Sequence, residues 1–313
     1  MKFLVTGGAG FIGSNIVEEL LKHGYSVRVI DNFATGKREN LKDFEKDIEL
    51  IEGDIRSYHT VNHAMKGIDI VLHQAALPSI PRSINDPITS NEVNVMGTLN
   101  ILDAAKNAGV RRIIYASSSS IYGDDPELPK HEGMLPNPLS PYAVSKLAGE
   151  KYCQVFSRLY GIETVILRYF NVFGPGQDPN SQYSAVIPKF IKLISNNQQP
   201  TIYGDGTESR DFTYVSNIVE GNILAATKDI ESGLVMNCAC QKQITLNELV
   251  TELNKILDKN LEPTYTAHKL GDIKHSFANI DLISEKLHYK PLVNFKEGLK
   301  KTLAFQYEIL SNP

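Results

Sequence analysis

The sequence predicts an α/β protein built on a doubly wound parallel sheet, with a smaller, mixed C-terminal lobe. Three observations carry this. Short apolar runs alternate with amphipathic stretches over roughly the first half of the chain, the order of repeated βα units. The runs are continuously apolar, as strands covered on both faces must be. And the first run ends in the glycine-rich stretch TGGAGFIG at 6–13, which passes directly into a helical period.

Taken in order, KFLVT at 2–6 is a short strand, and the amphipathic stretch from about Phe11 to His23 is a helix. Strand, glycine turn and helix form the arrangement that holds a dinucleotide pyrophosphate. Gly7 permits the tight turn, Gly10 lets the backbone approach the phosphates, and Gly13 lets helix and strand pack closely. The next run, YSVRVIDN, ends at Asp31, where a carboxylate accepts bonds from a ribose and repels a 2′-phosphate, so NAD is favoured over NADP. Asp31 and Asn32 are also residues that form turns.

IELIEG at 48–53 is a third strand, followed by a polar helix to Lys66, IDIVLH at 68–73, a long helix around 88–108, RRIIYAS at 111–117 and ETVILRYF at 163–170. Chemistry-bearing residues fall at the carboxyl ends of these runs, where such sheets bind ligands: Asp31, Asp54, His73 to Ala76, Ser117 to Ser120, and Tyr169 to Asn171. Asp54 fits either an adenine amino group or the cap of the following helix. His73 reads as a satisfied strand-end histidine. Cofactor contacts are expected at Gly7, Gly10, Phe11, Ile12, Gly13, Asp31, Asn32, Asp54, Ile55, Ala75, Ala76 and Tyr169.

Beyond Asn171 the pattern loosens. A turn-rich VFGPGQDPN leads to a helix from about Ser184 to Ile194, a hairpin-like TIYGDG, and RDFTYV before a further helix. Thr245 and Glu248 form a capping box, and Phe295, Leu299, Leu303 and Tyr307 mark a closing helix at 295–310. A first domain is expected over 1–171 and a second lobe over 172–313, with segments around 211–240 able to return to the first.

The chain of 313 residues carries 32 Lys and Arg against 36 Asp and Glu with no basic block, so nucleic-acid binding is not expected. No apolar run approaches the roughly 18 residues of a membrane helix. The first residues read as a strand, and Cys153, Cys238 and Cys240 form no disulfide framework, so a cytoplasmic protein is expected. His59 and His63 lack further ligands, and no metal site is expected.

Between the strand at 111–117 and the one at 163–170 lies SPYAVSK at 140–146. Ser140 can cap a helix and Pro141 fits its first position, which sets Tyr142 and Lys146 on one face. An ammonium beside a phenol is expected to lower the phenol from its usual pKa of about 10, making a base. In isolation such a pair is an ordinary surface pair. The serine run at 117–120 would add hydroxyls facing the crevice, or is simply a polar strand end.

With the glycine turn, Asp31, the serine run and Tyr142-x-x-x-Lys146 together, the chain resembles the extended short-chain dehydrogenase/reductase superfamily over essentially its whole length, and so a Rossmann-type sheet. HQAALPSIPRSINDP at 73–87, SSSSIYG at 117–123, RYFNVFGPGQDPNSQYSAVIPKF at 168–190 and GDGTESRDFTYV at 204–215 look like nucleotide-sugar 4-epimerases, particularly those acting on UDP-N-acetylglucosamine. The resemblance implies Ser118 and Tyr142 as the catalytic pair, with Lys146 orienting the nicotinamide ribose. It implies Asn94 near the cofactor, Asn171, Arg210 and Asp272 on UDP, and Ser79, Arg82 and Ser83 near the phosphates or sugar. A homodimer with a UDP-sugar substrate is the matching expectation.

Two differences from that pattern matter. Ser119 and Ser120 stand where dehydratases carry an acidic pair and decarboxylases a glutamate, so elimination lacks its acid. Lys269 stands where an arginine is common, without the bidentate fork. Ser276 matches a position where glucose/galactose-restricted epimerases often carry a tyrosine; a serine leaves room for an N-acetyl group, unless it only faces solvent in a loop. The activity implied is reversible C4 epimerisation of a UDP-hexose through bound NAD. The alternatives are a UDP-glucuronate 4-epimerase or decarboxylase, a reductase, or a non-catalytic NAD-binding regulator.

Overall fold

A computed structural model describes residues 1–177, 185–267 and 274–311. Its strands run, in chain order, β1 (Lys2–Thr6), β2 (Ser26–Asp31), β3 (Ile48–Glu52), β4 (Ile70–His73), β5 (Arg112–Ser118), β6 (Glu163–Tyr169), β7 (Val172–Phe173), β8 (Thr201–Tyr203), β9 (Ser209–Arg210), β10 (Thr213–Tyr214), β11 (Leu234–Cys238), β12 (Ile244–Thr245), β13 (Thr264–Thr266) and β14 (His275–Ser276). The helices are α1 (Phe11–Lys22), α2 (Tyr58–Ala64), α3 (Ile80–Asn85), α4 (Pro87–Asn91), α5 (Gly97–Ala108), α6 (Pro141–Tyr160), α7 (Val186–Ser195), α8 (Val215–Thr227), α9 (Leu246–Leu257), α10 (Asp281–Leu287) and α11 (Phe295–Ser311).

Among the described residues, seven strands form one sheet in the order β11-β6-β5-β4-β1-β2-β3, every neighbouring pair parallel. Chain order reverses between β1 and β4, which opens a crevice at their carboxyl ends. One apolar cluster joins α1 and α8 to a face of the sheet and runs on into the second lobe; the other packs α2, α5 and α6 on the opposite face. This is the doubly wound, Rossmann-type architecture, with a C-terminal lobe of smaller sheets.

Most elements follow the sequence pattern. Ser140 does cap α6, accepting the Ala143 N–H at 3.2 Å, and Thr245 with Glu248 closes the capping box of α9. Two features differ. The helix expected over 88–108 is interrupted by a π-helical turn, Glu92–Met96, which carries Asn94 into the interior. TIYGDG is not a hairpin, because β8 pairs in parallel with the distant β13. From beyond residue 171, β11 extends the central sheet beside β6. No helix among the described residues is long and apolar enough to cross a membrane.

His73, ending β4, is buried between two hydroxyls: Nδ1 is 2.7 Å from Thr6 Oγ1 and Nε2 is 3.0 Å from Thr98 Oγ1. Burial, and then the charge of Lys146, lower it from 6.5 to about 3. The folded state therefore binds fewer protons than the unfolded chain below pH 6.5. The stability from a neutral His73 is full above that pH and is lost as pH falls toward 3, by roughly 1.4 kcal/mol per pH unit. Urea unfolding at pH 6.5 and 5 should show the wild-type protein losing about 1.6 kcal/mol more than His73→Gln; equal losses would show that His73 does not titrate on unfolding.

Candidate active site

The crevice holds a cavity of about 820 Å³. Gly7, Gly10, Phe11, Ile12 and Gly13 wall one end of it, and Tyr142, Lys146 and Ser117 the other. Gly7 takes a left-handed φ of +68°, and a Cβ at Gly13 would lie 2.1 Å from the Gly7 carbonyl oxygen, so the turn admits no side chain there. No side chain caps α1 and its first turn has no acidic residue, which leaves its leading N–H groups available to an anion.

Asp31 lines the cavity and also stitches the turn together. Its Oδ2 accepts the Ala9 N–H at 2.9 Å and its Oδ1 the Phe33 N–H at 2.8 Å. Burial raises the carboxyl, opposed by those backbone donors. The sequence left Asp31 between a ribose acceptor and a turn residue; the geometry places it in the turn and on the wall at once. Asn32, Asp54, Ile55, Ala75 and Ala76 continue the wall. Asp54 does not cap α2, since Ser57 does; it is held by Arg56 (2.8 Å) and Asn32 (2.9 Å), and the Arg56 bond leads the lowering of its pKa.

Near Tyr142, the ends of β5 and β6 meet α6. The Lys146 ammonium donates to the Ala116 carbonyl at 2.8 Å. Burial lowers it to about 8, with Cys153 and then Glu150 opposing. Burial raises the Tyr142 phenol, and a hydrogen bond with Ser118 opposes that rise. The expectation that Lys146 draws the phenol below its usual value is therefore corrected: the ammonium is directed at β5, and the group that favours the phenolate is the Ser118 hydroxyl. Ser118 Oγ accepts from Ser120 Oγ (2.9 Å) and Ser120 N (3.2 Å), leaving its own proton to donate toward Tyr142.

Of the other expected residues, Ser79 and Arg82 line the same cavity, as does Tyr169, whose hydroxyl is bonded to Asn222 (2.8 Å) and Gln74 (3.2 Å). Ser83 does not line it: its buried hydroxyl donates to Ile80 O and accepts the Tyr142 N–H at 3.0 Å. Asn94 is buried one layer back, its amide joining Leu77 to Ser145, which in turn bonds the Tyr142 carbonyl. Asn171 and Arg210 wall a second cavity of about 360 Å³ with Phe190, Tyr203 and Phe212; Val172 and Ala185 border both cavities. Ser276 is not in a solvent-facing loop. It is nearly buried in β14, in register with Arg210. Lys269 and Asp272 lie outside the described residues.

Sequence reasoning missed the loop after β2. Lys37 N and Asn40 Nδ2 both bond the Ala9 carbonyl, at 3.0 and 2.8 Å, and clamp residues 33–40 over the glycine turn. The signal was Asn40 and Gly36 following Asp31, which looked like ordinary turn chemistry. The cradle fits a dinucleotide, so Gly13→Ala should leave the purified protein with about a tenth or less of its NAD content, a loss of 1.4 kcal/mol or more. Full retention would mean that NAD sits elsewhere.

Residues 3–239 match the NAD dependent epimerase/dehydratase family. The UDP-glucose 4-epimerase of Mycolicibacterium smegmatis is 34% identical over 97% of this chain and 98% of its own. Among solved structures, the UDP-N-acetylglucosamine 4-epimerase from Methanobrevibacter ruminantium M1, in complex with UDP-N-acetylmuramic acid, superposes with a TM-score of 0.94 at 41% identity, covering 98% of each chain. The UDP-glucuronic acid 4-epimerase from Bacillus cereus, solved with NAD, superposes at 0.91 and 35% identity over 99% of this chain and all of its own. The glycine cradle, the Tyr142 helix and these likenesses over the full length agree: the chain belongs to the NAD dependent epimerase/dehydratase family, with NAD as its cofactor.

Proposed function

We propose that this protein is a UDP-sugar 4-epimerase whose preferred substrate is UDP-N-acetylglucosamine. One observation carries the reading: a dinucleotide cradle and a Tyr-Lys helix share one cavity, and a second cavity with an arginine and aromatic walls adjoins it. A redox centre that also needs a separate anchor for a nucleotide suits a substrate that is oxidised and reduced without leaving.

Gly7, Gly10, Gly13 and the N-terminus of α1 hold the cofactor pyrophosphate, Asp31 its adenosine ribose, and Lys146 the nicotinamide ribose. When bound, NAD supplies a hydride acceptor, and its oxidised ring is cationic. Tyr142 takes the C4 hydroxyl proton, directly or through Ser118, and returns it after the sugar has turned over. Ser120 keeps the Ser118 proton aimed at Tyr142. Lys146, drawn down to about 8 by burial, is still an ammonium at pH 7. Arg210 and Asn171 hold the UDP while the hexose pivots, so binding energy is concentrated on the part that does not move.

Support for an acetylated sugar comes from the small Ser276 beside Arg210 and from the relative at 41% identity named for UDP-N-acetylglucosamine. The second reading is UDP-glucuronate 4-epimerisation, favoured by the Bacillus cereus neighbour. Incubation with UDP-N-acetylglucosamine, UDP-glucose and UDP-glucuronate without added cofactor, with products identified by NMR, should give the C4 epimer fastest from the first. Turnover of UDP-glucuronate alone would transfer the assignment to the second reading, and decarboxylated product would overturn both.

Tyr142→Phe should lower kcat by about 10²- to 10⁴-fold with NAD content unchanged; unchanged turnover removes Tyr142 from the chemistry. Ser276→Tyr should reduce kcat/KM for UDP-N-acetylglucosamine about tenfold or more while sparing UDP-glucose. Equal effects on both sugars would detach Ser276 from specificity.

A further inference from the structure

One turn beyond Lys146 on α6 stands Glu150, a fully buried acid that no sequence signal marked. Its Oε1 accepts the Ser117 hydroxyl at 2.6 Å and the Arg168 Nε at 2.8 Å; its Oε2 accepts the Arg168 Nη2 at 2.8 Å. Arg168 is buried as well and lies against the Tyr122 ring, 4.7 Å from its centroid. Tyr142, Lys146 and Glu150 follow at intervals of four, along one face of the helix. The acid thus ties α6 to the last residues of β5 and β6, immediately behind the Ala116 carbonyl that holds the Lys146 ammonium.

We propose that Glu150 is a positioning residue for the epimerase reaction: its buried carboxylate keeps Lys146 cationic and anchors Ser117, and with it the end of β5 that carries Ser118. The proposal rests on the role given above to Lys146. Burying a carboxylate and a guanidinium is costly and is seldom a gain in stability over apolar residues of the same size. A pair retained one helical turn from Lys146 therefore calls for a use beyond packing.

The surroundings of Lys146 leave Glu150 as the anion that serves it. From β4, His73 is held neutral down to about pH 3. From β5, the Tyr115 ring lies 5.1 Å from the ammonium, its phenol raised well above 10 by burial. From α6 itself, burial raises both the Tyr142 phenol and the Cys153 thiol. From β6, Arg168 is turned onto Glu150. Cys153 and Glu150 are the two groups that oppose the desolvation of Lys146, and because burial keeps the Cys153 thiol protonated, Glu150 is the standing negative charge beside it among the described residues.

Removing that charge should let Lys146 lose its proton at lower pH. In Glu150→Gln, the alkaline limb of the kcat profile should move down by about one pH unit and kcat near pH 7.5 should fall about threefold, with KM for the UDP-sugar unchanged. The titration of the Lys146 Cε resonance, in ¹³C-lysine-labelled protein assigned with Lys146→Ala, should move by the same amount. Glu150→Leu combined with Arg168→Met removes the pair without leaving a lone buried charge, and so keeps the fold if the single variant does not. A downward shift smaller than that of the single variant is expected in it, because the Arg168 charge leaves together with the acid. A folded variant of either kind with an unmoved lysine titration overturns the proposal. Because that titration is read without turnover, it remains decisive even if Tyr142→Phe shows the catalytic reading to be wrong.

Discussion

A parallel sheet covered by helices on both faces has nowhere to send the polar groups at its carboxyl ends except into whatever packs over them. In this protein that element is the first three turns of α6. The Ala116 carbonyl at the end of β5 is met by the Lys146 ammonium, and Ser117 and Arg168 by Glu150. The first free N–H groups of α6 are met in return by Ser140 and by Ser83 from α3. Each contact satisfies a buried group that would otherwise cost about 1–3 kcal/mol. Together they fix Tyr142 in both depth and rotation. The placement of Tyr142 is thus a by-product of closing the polar edge of the sheet.

The same requirement explains the π turn at Glu92–Met96. A regular helix over 88–108 would place its side chains in the sequence of faces that periodicity suggests. Instead the wider turn brings Asn94 inward, where its amide meets the Leu77 N–H at 2.7 Å and Ser145 Oγ at 3.0 Å. One side chain then joins the loop after β4 to α6. Helix interruptions of this kind are frequent at functional sites because they re-aim a residue without ending the helix.

How much of this was legible depended on whether the information was local. The strand, glycine turn and helix of 2–23, the cap at Ser140 and the box at Thr245 are written in adjacent residues, and the structure realises them. Gly13 was readable because only a residue without a side chain fits beside the Gly7 carbonyl. What could not be read is carried by contacts across long stretches of chain. The resemblance named Asn94 and Ser83 but not the contacts that hold them, and nothing marked Glu150; all three bond to other elements, and none differs in type from a polar residue on a solvated helix face. The parallel pairing of β8 with β13 is of the same kind, for TIYGDG alone looks like a hairpin. The lowering of Tyr142 by Lys146 failed for a related reason: helical spacing puts the two on one face, but only the packing shows that the ammonium turns toward β5.

An epimerase of this design has conflicting needs at its two ends. The hexose must be released enough to present its other face, while the nucleotide must not leave. The division of the crevice into two adjoining cavities separates those needs physically. On the proposed reading, the nucleotide side is the cavity walled by α7, β8 and the aromatic side chains around Arg210. Asp211, next to Arg210, accepts N–H bonds from Cys240 and Ala278 and so ties the end of β9 to the segments that follow β11 and β14. The Tyr142 side is built on the central sheet, where the groups around Tyr142 are held by buried hydrogen bonds. On the proposed reading, rigidity at both ends leaves the rotation to the sugar itself.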